Sequence, residues 1–215
     1  MLDELLRLEA YKRSNPNELT VQQFLMLEKE IKHPDSETIS DEYFDFKLWY
    51  RGLPSRQERF ADLLVRRLPK TEGLRVLEVG CGRTAKLSRI LSQKGFVMTC
   101  IDPTLEKSYC DGIEGIKGKF DYKRIDLSTY DYVIAQEPCD ATEHVVRACI
   151  SQHKPFIMAV CGVPHKLLSG ETPKNINEWY SYLVNISKNE IKFSYIMTDT
   201  LGKTPIIKSN YSWTK

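Results

Sequence analysis

Apolar residues recur three and four apart through much of the first seventy positions, and from residue 74 they gather instead into short buried runs separated by helical stretches. The early pattern predicts helices over LDELLRLEAYKR (2–13) and TVQQFLMLEKEIK (20–32), the second with Thr20 as N-cap. HPDSETISDEYF (33–44) reads as a loop, and the aromatic-rich YFDFKLWY (43–50) as packing between helices. A further helix fits SRQERFADLLVRRL (55–68): Ser55 and Glu58 have capping-box spacing, Phe60, Leu63, Leu64 and Leu68 form one stripe, and Pro69 ends it.

The later pattern predicts alternating strands and helices: LRVLEVG (74–80), a helix over 85–95 ending at Gly95, and FVMTCID (96–102). It continues with a strand over 130–138, a helix over 141–153, a strand over 155–161 and a helix over 175–189. Two closing strands, 191–199 and 205–212, are joined by a turn containing Gly202, and so short a connection requires antiparallel pairing. Residues 103–125 should hold another helix and strand, although the segment is short and loop-rich. The expected fold is α/β, a Rossmann-like doubly wound, mostly parallel sheet with a C-terminal antiparallel hairpin. An N-terminal helical extension or lid (1–54) would precede the main domain (55–215).

Composition narrows the class without naming a function. Hydrophobic residues make up 41% and charged residues 28% of 215, as in an ordinary globular protein. No apolar run approaches the ~20 residues that cross a bilayer. The opening MLDELLRLEAYKR is acidic and amphipathic, unlike an export signal, so a cytoplasmic protein is expected. Six cysteines (81, 100, 110, 139, 149, 161) form no CxxC pair and should be reduced thiols. Net charge is −1 over residues 1–70 and +3 over 71–215, which disfavours extended nucleic-acid contacts while leaving a local patch open.

The chemistry concentrates in LRVLEVGCGRTAKLSRIL (74–91). A strand that ends at Gly80-Cys81-Gly82 and opens a helix lets backbone N–H groups and a positive helix end approach a ligand. Asp102 closes the next strand 20 residues beyond Gly82, where nucleoside-binding folds place a carboxylate for ribose hydroxyls. Glu78 would repel pyrophosphate but suits a cationic aminoacyl group. The EVGCG segment at 78–82 resembles the first motif of class I S-adenosylmethionine-dependent methyltransferases, acid-x-Gly-x-Gly, and the resemblance extends over roughly 56–215, closing hairpin included. It implies a cofactor site in which Gly80, Cys81 and Gly82 line the methionine and sugar. Glu78 would hold the amino group directly or through water, and Asp102 would bind both ribose hydroxyls. Thr84 stands where many such loops carry a third glycine.

A second constellation follows in DYVIAQEPCDATEHVV (131–146), where Gln136, Glu137, Pro138, Cys139 and Asp140 lie just beyond a strand's carboxyl end. In an open α/β sheet that edge binds ligands, so Gln136 and Glu137 join the candidate cofactor site and Asp140 is a candidate catalytic residue. Asp140 equally fits a helix N-cap, with Glu143 at capping-box spacing. EPCD shares only its proline with the (Asp/Asn)-Pro-Pro-aromatic motif of amino-group methyltransferases. Cys161 and His165 follow in AVCGVPHKL, and the whole is similar to a poorly characterised methyltransferase-like branch with Pro-Cys and Cys-x-x-x-His segments. Cys139, Cys161 and His165 could converge as metal ligands, as nucleophile and base, or as walls of an acceptor pocket with His165 as catalytic proton acceptor. No metal is assigned.

The expected activity is in-line methyl transfer to an unidentified small molecule, protein or RNA. The alternative is a non-catalytic module that binds S-adenosylmethionine or S-adenosylhomocysteine. An NAD-linked enzyme is disfavoured by Glu78, the missing glycine and the hairpin.

Overall fold

The computed structural model describes residues 54–68, 73–106, 109–110, 112–164, 166–198 and 202–211. The helices expected over 2–13 and 20–32 and the aromatic segment 43–50 lie outside these residues. Contacts divide the chain into two compact units, Met1–Arg59 and Phe60–Lys215, and the sheet belongs to the second.

Helix α1 (Arg56–Arg67) starts with the capping box that the sequence spells. Ser55 Oγ accepts from Glu58 N–H at 3.2 Å, and Glu58 Oε2 accepts from Ser55 N–H at 2.6 Å. Of its predicted stripe, Phe60, Leu64 and Leu68 are buried, joined by Ala61, while Leu63 is only partly covered.

The sheet contains β1 (Arg75–Val79), β2 (Val97–Asp102), β3 (Tyr109–Cys110), β4 (Ile113–Lys117), β5 (Tyr132–Gln136), β6 (Phe156–Ala159), β7 (Ile191–Thr198) and β8 (Gly202–Ser209). Helices α2 (Lys86–Gln93), α3 (Thr142–Ser151) and α4 (Ile176–Ile186) flank it. Strand order is β3-β4-β2-β1-β5-β6-β8-β7. The run β4-β2-β1-β5-β6 is parallel, whereas β8 lies antiparallel to both β6 and β7. The expected doubly wound sheet and closing hairpin are therefore both present.

Residues 103–125 depart from expectation. Strand β4 forms, but no helix precedes it among the described residues. Instead the chain turns back through β3, which pairs antiparallel with β4 around Gly112 (φ 81°). Pro103 to Gly112 is too short for a crossover helix, which needs about a dozen residues with its loops.

Alternation along the strands builds two apolar layers. Leu77, Val79, Val133, Ala135, Phe156 and Met158 face α3 and α4, meeting Val145, Val146, Cys149, Trp179 and Leu183. Val76, Met98, Cys100, Ile134 and Ile157 face the opposite layer, with Phe60, Leu64, Leu87 and Leu91. Asn175 caps α4 by accepting from the N–H groups of Asn177 and Glu178, both at 3.0 Å.

Ala159 at the end of β6 pairs with Ile206, and β8 continues for four further residues to Gly202, paired there with β7. The β7–β8 ribbon thus overshoots β6 by about 13 Å at ~3.3 Å per residue. Among the described residues no helix is long and apolar enough to cross a membrane.

Because Leu64 is fully buried and Leu63 is not, Leu64→Ala should cost about 2–5 kcal/mol and Leu63→Ala under half of that. Denaturant unfolding of both variants checks this; equal losses would mean that α1 packs by another face.

Candidate functional site

From β1 the chain proceeds to β2 on one side and later returns to β5 on the other, so the loops after β1 and β5 diverge at the middle of the sheet. Such a switch point is where open α/β sheets bind ligands. Gly80 and Gly82 both have left-handed φ, at 75° and 68°. A Cβ on Gly80 would lie 2.9 Å from Pro138 Cβ and 3.0 Å from its Cα, so the two diverging loops touch here. A Cβ on Gly82 would meet nothing within 4 Å, which leaves that face of the loop open. The turn ends at Ala85, itself left-handed (φ 48°) and buried, and α2 begins without a side-chain cap. Burial of Ala85, with no third glycine, completes the bend.

Asp102 ties this loop to its neighbour. Its Oδ2 accepts from Gly82 N–H at 2.9 Å, while Oδ1 accepts from Thr104 N–H at 2.7 Å and from the Thr104 hydroxyl at 2.6 Å. Glu106 N–H donates to Arg83 carbonyl at 3.1 Å, and their side chains form an ion pair at 3.0 Å. Thr104 and Glu106 were not among the expected site residues. The signal for Thr104 is its place two residues after an aspartate, the spacing of an Asx turn.

Glu78 lies beneath the loop rather than on it. It is 2% exposed, and the Ser88 hydroxyl of α2 donates to its Oε2. Burial pushes its carboxyl up to about 7, opposed by the Ser88 bonds and assisted slightly by the Asp102 charge. Ser88 was also missed; a serine between Leu87 and Leu91 on a buried helix face is its mark. Cys81 and Cys100 lie near this acid, and the Cys81 thiol donates to the Gly82 carbonyl at 3.5 Å. Their mutual influence pushes Cys81 up and Cys100 down from the usual thiol range.

At the other loop, Gln136 Oε1 is buried and has no hydrogen-bond partner. Glu137 N–H continues the ladder to Ala159 carbonyl at 2.9 Å. Glu137 and Cys139 have φ of 51° and 48°, so two non-glycine residues flank Pro138 in the left-handed region. Each costs roughly 1–2 kcal/mol, and such strain clusters at functional sites. The segment then forms a 3-10 turn (Cys139–Ala141) that leads into α3.

Asp140 is exposed on that turn and does not act as the expected cap, since neither the turn nor α3 has a side-chain cap bond. The helix starts at Thr142, and Glu143 reaches elsewhere. It accepts from Leu168 N–H and Arg147 Nε, both at 2.8 Å, and from the Tyr182 hydroxyl at 2.5 Å. Burial alone would raise its carboxyl, but the Leu168, Tyr182 and Arg147 bonds outweigh it and hold Glu143 below the usual range. Glu143 thereby fastens the β6–α4 loop to α3.

Cys139 is exposed and Cys161 half-buried on the neighbouring loops after β5 and β6, and the Cys139 thiol donates to the Glu137 carbonyl at 3.4 Å. The Cys139 thiol pulls Cys161 down to about 7 against its burial, and Cys139 N–H assists; Cys139 is pushed up. His165 lies outside the described residues, so two of the three expected partners are seen together. Among the described residues no group of three or more histidine, cysteine or carboxylate side chains could hold a metal ion.

No protein-family model matches the sequence, and no curated protein matches it either. Solved structures do. One is a methyltransferase acting on an amino pentose from Micromonospora echinaspora, bound to S-adenosylmethionine; it is 14% identical over 83% of this chain and 100% of its own, TM-score 0.51. A second, an S-adenosylmethionine-dependent methyltransferase of Leishmania major, is 14% identical over 80% and 78%, TM-score 0.51. A third comes from the complex of a methyltransferase with the Haloferax volcanii Trm112 activator, 15% identical over 81% and 99%, TM-score 0.51. This chain has the fold of class I S-adenosylmethionine-dependent methyltransferases.

Two expected outcomes follow from the loop geometry. Gly80→Ala combines a left-handed φ with a contact against Pro138 and should destabilise more than Gly82→Ala, which carries about 1 kcal/mol of backbone cost alone. Thermal unfolding of the pair decides it, and the reverse order would discount the Gly80–Pro138 contact. Glu78 has a folded pKa of about 7 against 4.5 unfolded, so between these values the folded chain binds more protons. Its contribution therefore falls as pH rises from 4.5 through 7, by about 3 kcal/mol in all. Denaturant unfolding at pH 5.5 and 8 should show a larger drop for the native chain than for Glu78→Gln; equal drops would overturn the assignment.

Proposed function

We propose that this chain binds S-adenosylmethionine at the β1–β5 switch point and catalyses methyl transfer to an acceptor by in-line displacement. The observation that carries the reading is the bond from Gly82 N–H to Asp102, which sets a ligand-facing carboxylate beside an open, left-handed glycine. Its surroundings support this particular cofactor. Glu78, Asp102, Glu137 and Asp140 put four acids at or beneath one strand edge, which disfavours pyrophosphate and suits a cation. Gln136 supplies a buried acceptor without a donor, a position that an amino group can fill.

When bound, the cofactor supplies an electrophilic methyl group on a sulfonium. The protein's share is alignment, exclusion of water and removal of any acceptor proton. Asp102 presents its carboxylate to the two ribose hydroxyls. Three donors already occupy it and a carboxylate takes about four, so at least one ribose hydroxyl displaces Thr104. Gly80 and Gly82 let the backbone come close to the sugar and methionine, with Cys81 between them. Glu78 acts from below by holding α2 through Ser88, and a cationic amino end bound above it would favour its ionised form. Gln136 and Glu137 meet the aminoacyl portion from the β5 side. Asp140 and His165 are the catalytic candidates for taking a proton from the acceptor.

The acceptor is a small molecule, a protein or an RNA. A non-catalytic module that binds the same cofactor is the second reading, because the motif residues that carry the resemblance, Glu78 to Gly82 and Asp102, would serve cofactor binding and not acceptor chemistry; turnover on any acceptor separates the two.

Calorimetry with S-adenosylhomocysteine tests the proposal. The native chain should bind it and not NAD. Asp102→Ala should weaken binding at least ~100-fold, since two bonds to a charged acceptor at ~1.5–3 kcal/mol each are lost. Unchanged affinity in the variant, or no heat with the native chain, would overturn the reading.

A further inference from the structure

The two cysteines on the β5 and β6 loops have no assigned part in the cofactor site, yet the fold brings them together. Gln136 pairs with Ala159, and the Glu137 N–H to Ala159 carbonyl bond extends that register past the strand ends. Cys139 follows three residues after Gln136 and Cys161 two after Ala159, so adjacent strands deliver one thiol each to the same edge. The left-handed turn at Cys139 leaves its thiol on the Cys161 side of the edge, donating to the Glu137 carbonyl at 3.4 Å and near enough to influence Cys161. Gly162 follows directly, with nothing within 4 Å of where a side chain would stand.

Accessibility differs within the pair in a useful way. Cys139 is exposed and Cys161 half-buried, while the other thiol pair, Cys81 and Cys100, is buried behind the glycine loop. Cys161 sits near neutrality as a thiolate that Cys139 thiol and N–H stabilise. A low-pKa thiolate with a resolving thiol at hand is the arrangement of redox-responsive cysteines.

We propose that Cys139 and Cys161 form a reversible dithiol–disulfide couple, oxidised by peroxides, that clasps the β5 and β6 loops across the acceptor side of the site. The Cys161 thiolate attacks one peroxide oxygen; the O–O bond breaks, Cys161 becomes a sulfenic acid, and the departing oxygen leaves as water after taking a proton. Cys139 sulfur then attacks the Cys161 sulfur, the S–O bond breaks, and the leaving hydroxide takes the Cys139 proton as a second water. Two sulfurs together lose two electrons, which reduce one peroxide. A dithiol reductant reverses the step. The proposal rests on the reading of this edge as the acceptor side, but the chemistry of the couple is measured without any cofactor.

The test exposes the full chain to hydrogen peroxide at pH 7, blocks remaining thiols after denaturation, and maps them by mass spectrometry. The native chain should lose 2 hydrogens, about 2 Da, in one linked peptide pair containing Cys139 and Cys161, and dithiothreitol should restore both thiols. Cys139→Ser should stop at the sulfenic acid or proceed to sulfinic acid on Cys161, and Cys161→Ser should leave Cys139 a free thiol. In the reduced chain Cys161 should alkylate about tenfold faster than Cys139 at pH 7, following its larger thiolate fraction. A disulfide between other cysteines, a link between chains, or sulfinic acid on Cys161 with Cys139 present and free would each overturn the couple. Loss of S-adenosylhomocysteine binding would instead strike the functional reading and leave these masses unchanged.

Discussion

A carboxylate at the end of a strand has to be satisfied whether or not a ligand is present, and Asp102 meets that demand with the backbone of the loop next door. Its bond to Gly82 N–H fixes the separation of the loops after β1 and β2, and its bonds to Thr104 fix where the chain goes next. Gly82 must be left-handed for its N–H to point there while its α-carbon faces open space. The same carboxylate thus organises the protein and, on the proposed reading, would also bind the ligand. A site built this way would be preorganised, because the acceptor is already oriented and a ligand would exchange for a local donor.

The middle of the sheet adds a second constraint. Gly80 leaves no room for a side chain against Pro138, so the diverging loops hold one another at the point where strand order reverses. Around that contact the backbone is under strain at Glu137 and Cys139, and an acceptor atom of Gln136 is buried without a donor. Folding has retained both costs at one edge. Glu78 belongs to the same set: a carboxyl enclosed in an apolar layer, held by Ser88 and raised by burial.

Much of the sheet was legible because its strands are short apolar runs separated by periodic helices, and β1, β2, β5, β6 and β7 each lie within the expected segment, whereas β8 begins three residues early, at the Gly202 expected in the turn. Asp102 was legible from its distance to Gly82. The interval 103–125 was not, since a two-residue strand such as Tyr109–Cys110 has too little pattern to reveal itself. The cap expected of Asp140 failed for a related reason: the spacing to Glu143 was right, but Tyr182, thirty-nine residues away, competes for that carboxylate. A long-range partner such as Ser88 for Glu78 is a product of topology, which local spacing does not encode, and Gly80 against Pro138 is another such pairing. The meeting of Cys139 and Cys161, by contrast, could be foreseen because both loops leave one sheet edge.

The closing ribbon rises beyond its neighbour. Strands β7 and β8 carry their pairing about four residues past the last rung of β6, forming a parapet beside that strand's carboxyl end. Were methyl transfer to take place at this edge as proposed, a broad acceptor laid flat across the tips of β6 and β8 would meet the parapet first, whereas a slender protruding group could reach down beside it.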